Sequence, residues 1–220
     1  MKYGVRAAIF LIMSVTWVAA QSQPAPSPSP SPAKVNFLKD IGADQKAIWT
    51  SPFHIKKDDL KWLVPFGIGT GVLIATDKET SSWVHSGGSL PGTSRAVSWG
   101  GSIYVTGGVS TGMYLIGRWS HNEKLRETGR LATEALIDSG IVTQVSKVAL
   151  GRLRPDQGDG EGRFFHGGRS FFSGHASASW SVASVIACEY HDRTLAVVAA
   201  YGLASAVSLS RYTGREHFHS

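Results

Sequence analysis

The chain has 220 residues, of which 42% are hydrophobic, and this is enough to bury one substantial core in one domain. Its net charge is +6, but Lys2 and Arg6 fall in a predicted leader, and without them 20 Lys and Arg face 16 Asp and Glu. A mild basic excess suits an anionic substrate or an anionic membrane surface, whereas the scattering of the Lys and Arg argues against a nucleic-acid-binding protein.

The first 34 residues predict export followed by a spacer. Residues 1–20 read as a signal peptide, with a charged start, an apolar run from Ala7 to Val15 and a small-residue cleavage site before Gln21. Cleavage is favoured over a membrane anchor, because the uncharged run is shorter than the ~20 residues of a spanning helix. Residues 21–34 are a Pro/Ser-rich linker, either an extended tether or a disordered N-terminus. We expect a periplasmic or secreted protein, with an inner-membrane protein whose site faces the periplasm as the alternative.

Residues 35–220 predict one all-α domain, a helical bundle, because no alternating strand pattern persists. Several segments are long and uncharged enough to span a membrane by length alone. Their high content of Gly, Ser, Thr and Ala favours a tightly packed soluble bundle, with membrane association as the alternative. The predicted helical segments are 58–76, 98–119, 127–150, 176–190 and 194–209.

The spacing of four glycines and the single cysteine predict further features of the packing. The four-residue spacing of Gly67 with Gly71, and of Gly108 with Gly112, predicts close helix approach. Cys188 has no partner for an internal disulfide, and we expect it to be a buried small apolar residue.

Two patterns that suggest ligands are set aside. Gly67 to Gly71 lacks the preceding strand and the acidic partner of a dinucleotide-binding fingerprint. Asp156, Asp159 and Glu161 do not have the spacing of a calcium-binding EF-hand loop and are better explained as a solvated acidic loop. No metal site is predicted.

The first of three polar clusters is Lys147, followed after six residues by Arg154 and Pro155. Seven residues are two helical turns, so Lys147 and Arg154 share one side of the chain if the helix persists. Taken alone, two basic residues at a helix C-terminus are more often explained as complements of the helix dipole.

The second cluster is Ser173-Gly174-His175, which lies where a Gly-rich loop meets a helical pattern. Ser is a good N-cap, Gly permits close backbone approach, and the free amides of a helix start can bind an anion such as phosphate. His175 is then placed to act as a general acid. The alternative is an ordinary cap with an exposed histidine.

The third cluster is Ser210-Arg211, followed after five residues by His217. Arg211 can offer a planar fork to two phosphate oxygens, and the neutral imidazole of His217 is a candidate nucleophile. Positive charges around a transferred phosphoryl group offset the charge of its equatorial oxygens.

In order and spacing these clusters closely resemble the signature of the type 2 phosphatidic acid phosphatase superfamily, which also holds bacterial non-specific acid phosphatases and vanadium haloperoxidases. The resemblance implies a metal-independent phosphatase without a cofactor, acting on lipid phosphates or small organic phosphates through a phosphohistidine intermediate. It implies that His217 is the nucleophile and that His175 is the acid and then the base. The phosphate-binding residues that it implies are Lys147, Arg154, Ser173, Gly174 and Arg211.

This chain departs from the family pattern at two places. Phe172 stands where the family usually has Pro before Ser-Gly-His, and the expected effect is confined to loop stiffness. The family pattern also continues from the nucleophile through three residues to an Asp, whereas Ser220 is the last residue here. We expect the sequence to be a fragment that lacks this Asp and the last helix, with an inactive relative as the alternative.

Two other functions stay open at this point. Vanadate, expected as an inhibitor, would be the cofactor if the site were that of a haloperoxidase. A non-catalytic phosphate-binding or membrane-associated helical module is the third possibility, and the absent Asp motivates it.

Overall fold

The structure, a computed structural model, describes residues 36–86, 91–154 and 162–213, without the side chains of 78–86 and 91. The predicted leader and linker, the acidic loop and His217 lie outside the described residues. Across those three ranges the chain forms seven α-helices, one short 3-10 helix and no strand, which confirms the all-α prediction. The α-helices are α1 (Phe37–Thr50), α2 (Leu60–Ser86), α3 (Pro91–Trp99), α4 (Ile103–Trp119), α5 (Glu123–Leu150), α6 (Gly174–Glu189) and α7 (Thr194–Thr213), and the 3-10 helix spans Ser51–His54.

Side-chain caps explain where three of these helices begin. The hydroxyl of Ser102 accepts a hydrogen bond from the Val105 amide at the start of α4, and the side chain of Asn122 accepts one from the Leu125 amide at the start of α5. Ser173 caps α6 in the same way. Such a cap satisfies an amide that has no partner within the helix, and its loss costs about 1 kcal/mol.

The central helix α5 packs against α4 on one side and α6 on the other, and α7 packs against α6. Two neighbouring helices complete the bundle, since α3 contacts α7 and α1 contacts α5. A cluster of buried apolar side chains lies between α5 and α6, formed by Ala132, Leu136, Ala178 and Val182. The small size of the Ala side chains lets the two helices approach closely.

Close approach between α4 and α5 depends on Gly129 and Gly117, which are not among the four glycines predicted from their four-residue spacing. A Cβ at Gly129 would lie 2.7 Å from the Ser110 carbonyl oxygen and against the Tyr114 amide. A Cβ at Gly117 would likewise meet the backbone of Arg126. The prediction of close approach at Gly67, Gly71, Gly108 and Gly112 is wrong for these four residues, because no atom lies within 4 Å of an added Cβ.

We expect Gly129→Ala to destabilise the protein by about 1–3 kcal/mol, because the added methyl group must displace the α4 backbone. The matched control is Gly108→Ala, which adds the same methyl group to an α4 position that is open to solvent. There the better helix propensity of Ala should raise stability by up to about 1 kcal/mol. Urea unfolding of both variants measures the difference. Equal effects of the two substitutions would contradict the packing described here.

Two further expectations are corrected by the structure. The segment predicted as one helix over 98–119 is two helices, because α3 ends at Trp99, Gly100 and Gly101 make a turn, and Ser102 caps α4. Cys188 is exposed rather than buried, since it lies on the solvent-accessible side of α6 near its C-terminal end.

One helix of the described ranges, α7, is long and apolar enough to cross a membrane by length and composition. Its 20 residues expose Leu195, Val198 and Leu203. A core helix of a soluble protein can pass the same test, so α7 is weak evidence of membrane association.

Candidate active site

The packing of α5, α6 and α7 brings the described members of the three sequence clusters to one end of the bundle, whereas His217 lies outside the described residues. Ser139 donates a hydrogen bond to Ser181 at 3.2 Å, and Thr143 donates one to Ser177 at 3.0 Å. Each step of four residues forward on α5 thus matches four residues backward on α6, so the two helices are antiparallel. One more step of this register places Lys147 opposite Ser173.

The same reasoning locates Arg211 relative to α6. The indole of Trp180 donates a hydrogen bond to Ser208 at 2.9 Å, and the short connection between α6 and α7 makes these two helices antiparallel. Moving three residues forward on α7 and three residues backward on α6 from this pair places Arg211 opposite Ser177. Ser177 is one helical turn from Ser173. The C-terminal ends of α5 and α7 therefore flank the N-terminal end of α6.

Lys147 reaches the N-terminal end of α6. Its Nζ lies 3.5 Å from the position that a Cβ would occupy on Gly174, an ordinary van der Waals distance, so the ammonium group lies beside the first residue of α6. Burial lowers the pKa of Lys147, and the positive charges of Arg154, Arg211 and Arg169 lower it further. Four cationic groups thus interact around the start of α6, where free backbone amides already favour an anion.

Arg154 reaches this cluster by a different route from the predicted one. The helix does not persist to Arg154, which was the condition for a shared helix face, because α5 ends at Leu150 and Gly151 caps it with φ of 50°. Glycine adopts this left-handed conformation without steric cost. The chain then turns away from the helix axis, yet the charge of Arg154 still acts on Lys147.

The loop that precedes α6 is held against the end of α5 by backbone hydrogen bonds. The amide of Leu153 donates to the carbonyl of Arg163, and the amide of Ser170 donates to the carbonyl of Arg152, at 3.0 and 2.9 Å. Gly168 is needed for this pairing, because a Cβ there would collide with the Arg152 carbonyl. The position of Ser173 is therefore coupled to the residues that follow Lys147.

A buried ion pair fixes this region to α2. Arg152 is only 2% exposed, and its Nη2 donates a hydrogen bond of 2.6 Å to Asp77 Oδ2. Its Nε donates to the carbonyl of Gly162 at 2.9 Å, and its guanidinium lies 4.7 Å from the ring centre of Phe164. A buried charge pair needs such additional partners to offset its desolvation. Arg152 thereby joins α2, the end of α5 and the loop before α6.

At the opposite edge of the site, α3 contacts Arg211. The guanidinium Nη1 of Arg211 donates a hydrogen bond of 2.7 Å to the hydroxyl of Ser98, which is buried. The sequence clusters do not include Ser98, Asp77, Arg152 or Arg169. Arg169 could have been found, because it is a basic residue four positions before Ser173 of the second cluster, whereas nothing in the local sequence distinguishes Ser98 or Asp77.

Beside the cationic cluster a cavity of about 1190 Å³ opens between α1, α5, α6 and α7. Arg211 and Ser173 belong to its wall, so the cavity is continuous with the candidate site. Much of the remaining wall is apolar or aromatic and includes Leu131, Val142, Phe172, Ala176, Trp180, Val185 and Leu209.

An acidic group lies further along the same cavity, on α5 and α1. Asp138 and Glu134 stand about 14 and 20 Å from Lys147 along the helix axis. Burial raises the pKa of Glu134, and burial likewise raises the pKa of Asp44 across the cavity. These carboxylates join α1 to α5, since Gln45 donates a hydrogen bond of 2.8 Å to Asp138. In the part of the chain that the structure describes, no group of three or more His, Cys, Asp and Glu is placed to hold a metal ion.

The lowered pKa of Lys147 predicts how phosphate affinity depends on pH. An anion binds the protonated amine, so affinity should fall as the pH rises towards the ordinary lysine value of 10.5, and the fall should begin earlier than for an unperturbed lysine. Lys147→Arg keeps its charge throughout, because the guanidinium stays protonated. Calorimetric titration with inorganic phosphate between about pH 8 and about pH 10 should therefore show a steeper loss in the wild type than in this variant. Parallel curves would show that Lys147 does not contact the anion.

Comparison with known proteins agrees with this geometry. A family model, described as the PAP2 superfamily, matches residues 130–220. The match begins within α5 and includes all three clusters. No curated protein and no solved structure matches the chain. Residues 130–220 are therefore similar to the PAP2 superfamily, and the described members of the three clusters within this range lie at one end of the all-α bundle.

Proposed function

We propose that the protein is a metal-independent phosphomonoester hydrolase that works through a phosphohistidine intermediate. The family match supports a phosphatase-type function in general. The observation that carries the finer proposal is the position of the Lys147 ammonium group beside Gly174 at the start of α6, where the charges of Arg154 and Arg211 also act on it. Three cationic side chains that interact electrostatically beside a helix N-terminus suit a phosphate dianion.

In the first step, the imidazole of His217 attacks phosphorus and forms a P–N bond while the bond to the leaving oxygen breaks. His175 donates a proton to that oxygen, so the alcohol leaves neutral. In the second step, water attacks the phosphohistidine, His175 takes the proton of the water, and the P–N bond breaks to release inorganic phosphate and neutral His217. His175 returns to its protonated form, which closes the cycle.

The remaining site residues act on charge and orientation. The equatorial oxygens of the transferred phosphoryl group carry most of the negative charge, and in this proposal Lys147, Arg154 and Arg211 offset it. Backbone amides at Ser173 and Gly174 add donors at the start of α6. These groups are held in place before substrate arrives, which avoids reorganisation during the reaction.

The adjoining cavity supports a substrate that carries an apolar group beside its phosphate. Phe172, Trp180 and Leu209 line the wall of the cavity that also includes Arg211. Binding is favoured when such apolar side chains remove the hydrocarbon surface of a substrate from water. Within the proposal, a lipid phosphate or a small organic phosphate with an apolar substituent is a better substrate than a fully polar one. The largely apolar helix α7 is compatible with a membrane-bound substrate. Export to the periplasm or beyond remains part of the proposal.

Hydrolysis of a chromogenic phosphomonoester by the purified protein tests this function. Activity should persist in EDTA, should be inhibited by vanadate, and should be abolished in His217→Ala. Alkyl phosphates of increasing chain length should show a falling KM, because each added methylene that enters the cavity contributes up to about 0.8 kcal/mol. Activity that requires an added divalent metal, or that survives in His217→Ala, would overturn the proposal.

A further inference from the structure

A short segment outside the family match contacts two of the three clusters. Ser98 lies in the last turn of α3, is 5% exposed, and accepts a hydrogen bond of 2.7 Å from Nη1 of Arg211. A hydroxyl that accepts from a guanidinium makes a charge-assisted hydrogen bond, which is shorter and stronger than one between neutral groups. Ser98 is therefore placed to hold one arm of the Arg211 fork.

A second contact keeps α3 aligned with the end of α7. Ser94 lies one turn before Ser98 and is also buried, and its hydroxyl forms a hydrogen bond of 2.8 Å with Thr213. Residues four apart share one face of a helix. This face of α3 thus presents two serines to the last turn of α7, and only Ser98 contacts a residue of the candidate site.

A third contact joins the same segment to α6. In the turn after α3, a Cβ on Gly101 would lie 2.7 Å from the carbonyl oxygen of His175 and would collide with Val207. Glycine is therefore required where the turn meets the first residues of α6. The segment from Ser94 to Gly101 spans from the end of α7 to the start of α6, which are the two elements that carry Arg211 and His175.

We propose that Ser98 is a positioning residue that orients the guanidinium of Arg211 towards the phosphate. This inference rests on the proposed phosphatase site. An arginine side chain has many rotamers, and each must be lost when the fork binds two phosphate oxygens. Fixing Nη1 through Ser98 removes part of that loss before the anion arrives and leaves the planar fork with one preferred orientation.

Calorimetric titration with inorganic phosphate tests this role without requiring turnover. Ser98→Ala should weaken phosphate binding by roughly tenfold, which is the usual scale for one hydrogen bond to a charged group. Ser98→Thr keeps the hydroxyl and should restore most of the affinity. The matched control is Ser94→Ala, which removes a serine of the same helix and the same burial and should change affinity by less than about twofold. Circular dichroism and thermal unfolding show whether each variant is folded.

A double variant that also lacks Arg211 distinguishes a positioning role of Ser98 from a purely structural one. In an Arg211→Ala background, Ser98→Ala should cause no further loss of phosphate affinity, because the side chain that Ser98 orients is gone. Losses that add in the double variant, or equal losses from Ser94→Ala and Ser98→Ala, would overturn the positioning role. Unchanged affinity in Ser98→Ala would overturn it while leaving the proposed function standing. A wild-type protein that binds no phosphate would overturn both.

Discussion

Replacing His175 by asparagine should lower the turnover of an alkyl phosphate by about 10²–10⁴-fold, the range that a general acid typically contributes. The reason is that an alkoxide leaves poorly unless it receives a proton in the transition state. A phosphomonoester with a nitrophenyl group leaves as a stable anion and needs little protonation. The same variant should therefore lose much less activity on the nitrophenyl ester in its first step.

This difference between leaving groups distinguishes an acid from a residue that only shapes the site. The measurement is the pre-steady-state rate constant of the phosphorylation step for both esters in the wild type and in His175→Asn, followed by the released alcohol or phenol, because the second step is common to both esters. The control is His166→Asn, since His166 is exposed on the preceding loop and its ring Nδ1 lies 2.6 Å from the carbonyl oxygen of Phe164. That variant should keep the wild-type ratio. Equal losses on both esters in His175→Asn would show that His175 is not the acid.

Asp77→Ala should destabilise the protein by about 3–5 kcal/mol, because it leaves the guanidinium of Arg152 buried without its counter-charge. Both partners are almost fully buried, with 2% of each side chain exposed, so water cannot replace the lost carboxylate. Urea unfolding measures the change. The control is Asp58→Ala, which removes an exposed carboxylate near the start of the same helix and should stay within about 0.5 kcal/mol of the wild type.

Replacing both Asp77 and Arg152 distinguishes the cost of a buried unpaired charge from the cost of losing the contact between the two side chains. The double variant Asp77→Leu with Arg152→Met removes both charges and fills much of the same volume, so it should be more stable than Asp77→Ala. It should still bind phosphate more weakly than the wild type, because Arg152 also ties the loop before α6 through Gly162 and Phe164. A loss below about 1 kcal/mol in Asp77→Ala would contradict the buried pair.

The bundle and its helical segments follow from local patterns, and this is why the all-α prediction is confirmed. Long runs with helical periodicity mark α5, α6 and α7, and the Ser173 cap marks the start of α6 within one residue of the structure. The break between α3 and α4 was missed, because Gly100 and Gly101 lie inside a long uncharged stretch that resembles one helix. The exposed face of Cys188 was missed because a small apolar residue on a helix has no local sign of which side it occupies.

Site residues that belong to motifs of fixed spacing can be predicted from the sequence. Contacts between residues that are far apart in the sequence cannot. Lys147, Arg154 and Arg211 were selected from the sequence, and their charges do interact. The shared helix face that would have brought Lys147 and Arg154 together does not form, because a left-handed Gly151 ends the helix between them. Asp77 is 75 positions from Arg152, and Ser98 is 113 positions from Arg211, so neither contact leaves a periodic or local signal.

Mapping the phosphoenzyme tests the central claim most directly. The protein is mixed with a phosphomonoester, quenched in alkali within a turnover to preserve a P–N bond, and digested for mass spectrometry. We predict one phosphoryl group per chain, located on His217, and a larger trapped fraction in wild-type protein than in protein incubated with vanadate. Turnover without a trapped phosphoenzyme, or a phosphoryl group on any residue other than His217, would contradict a phosphohistidine mechanism at this site.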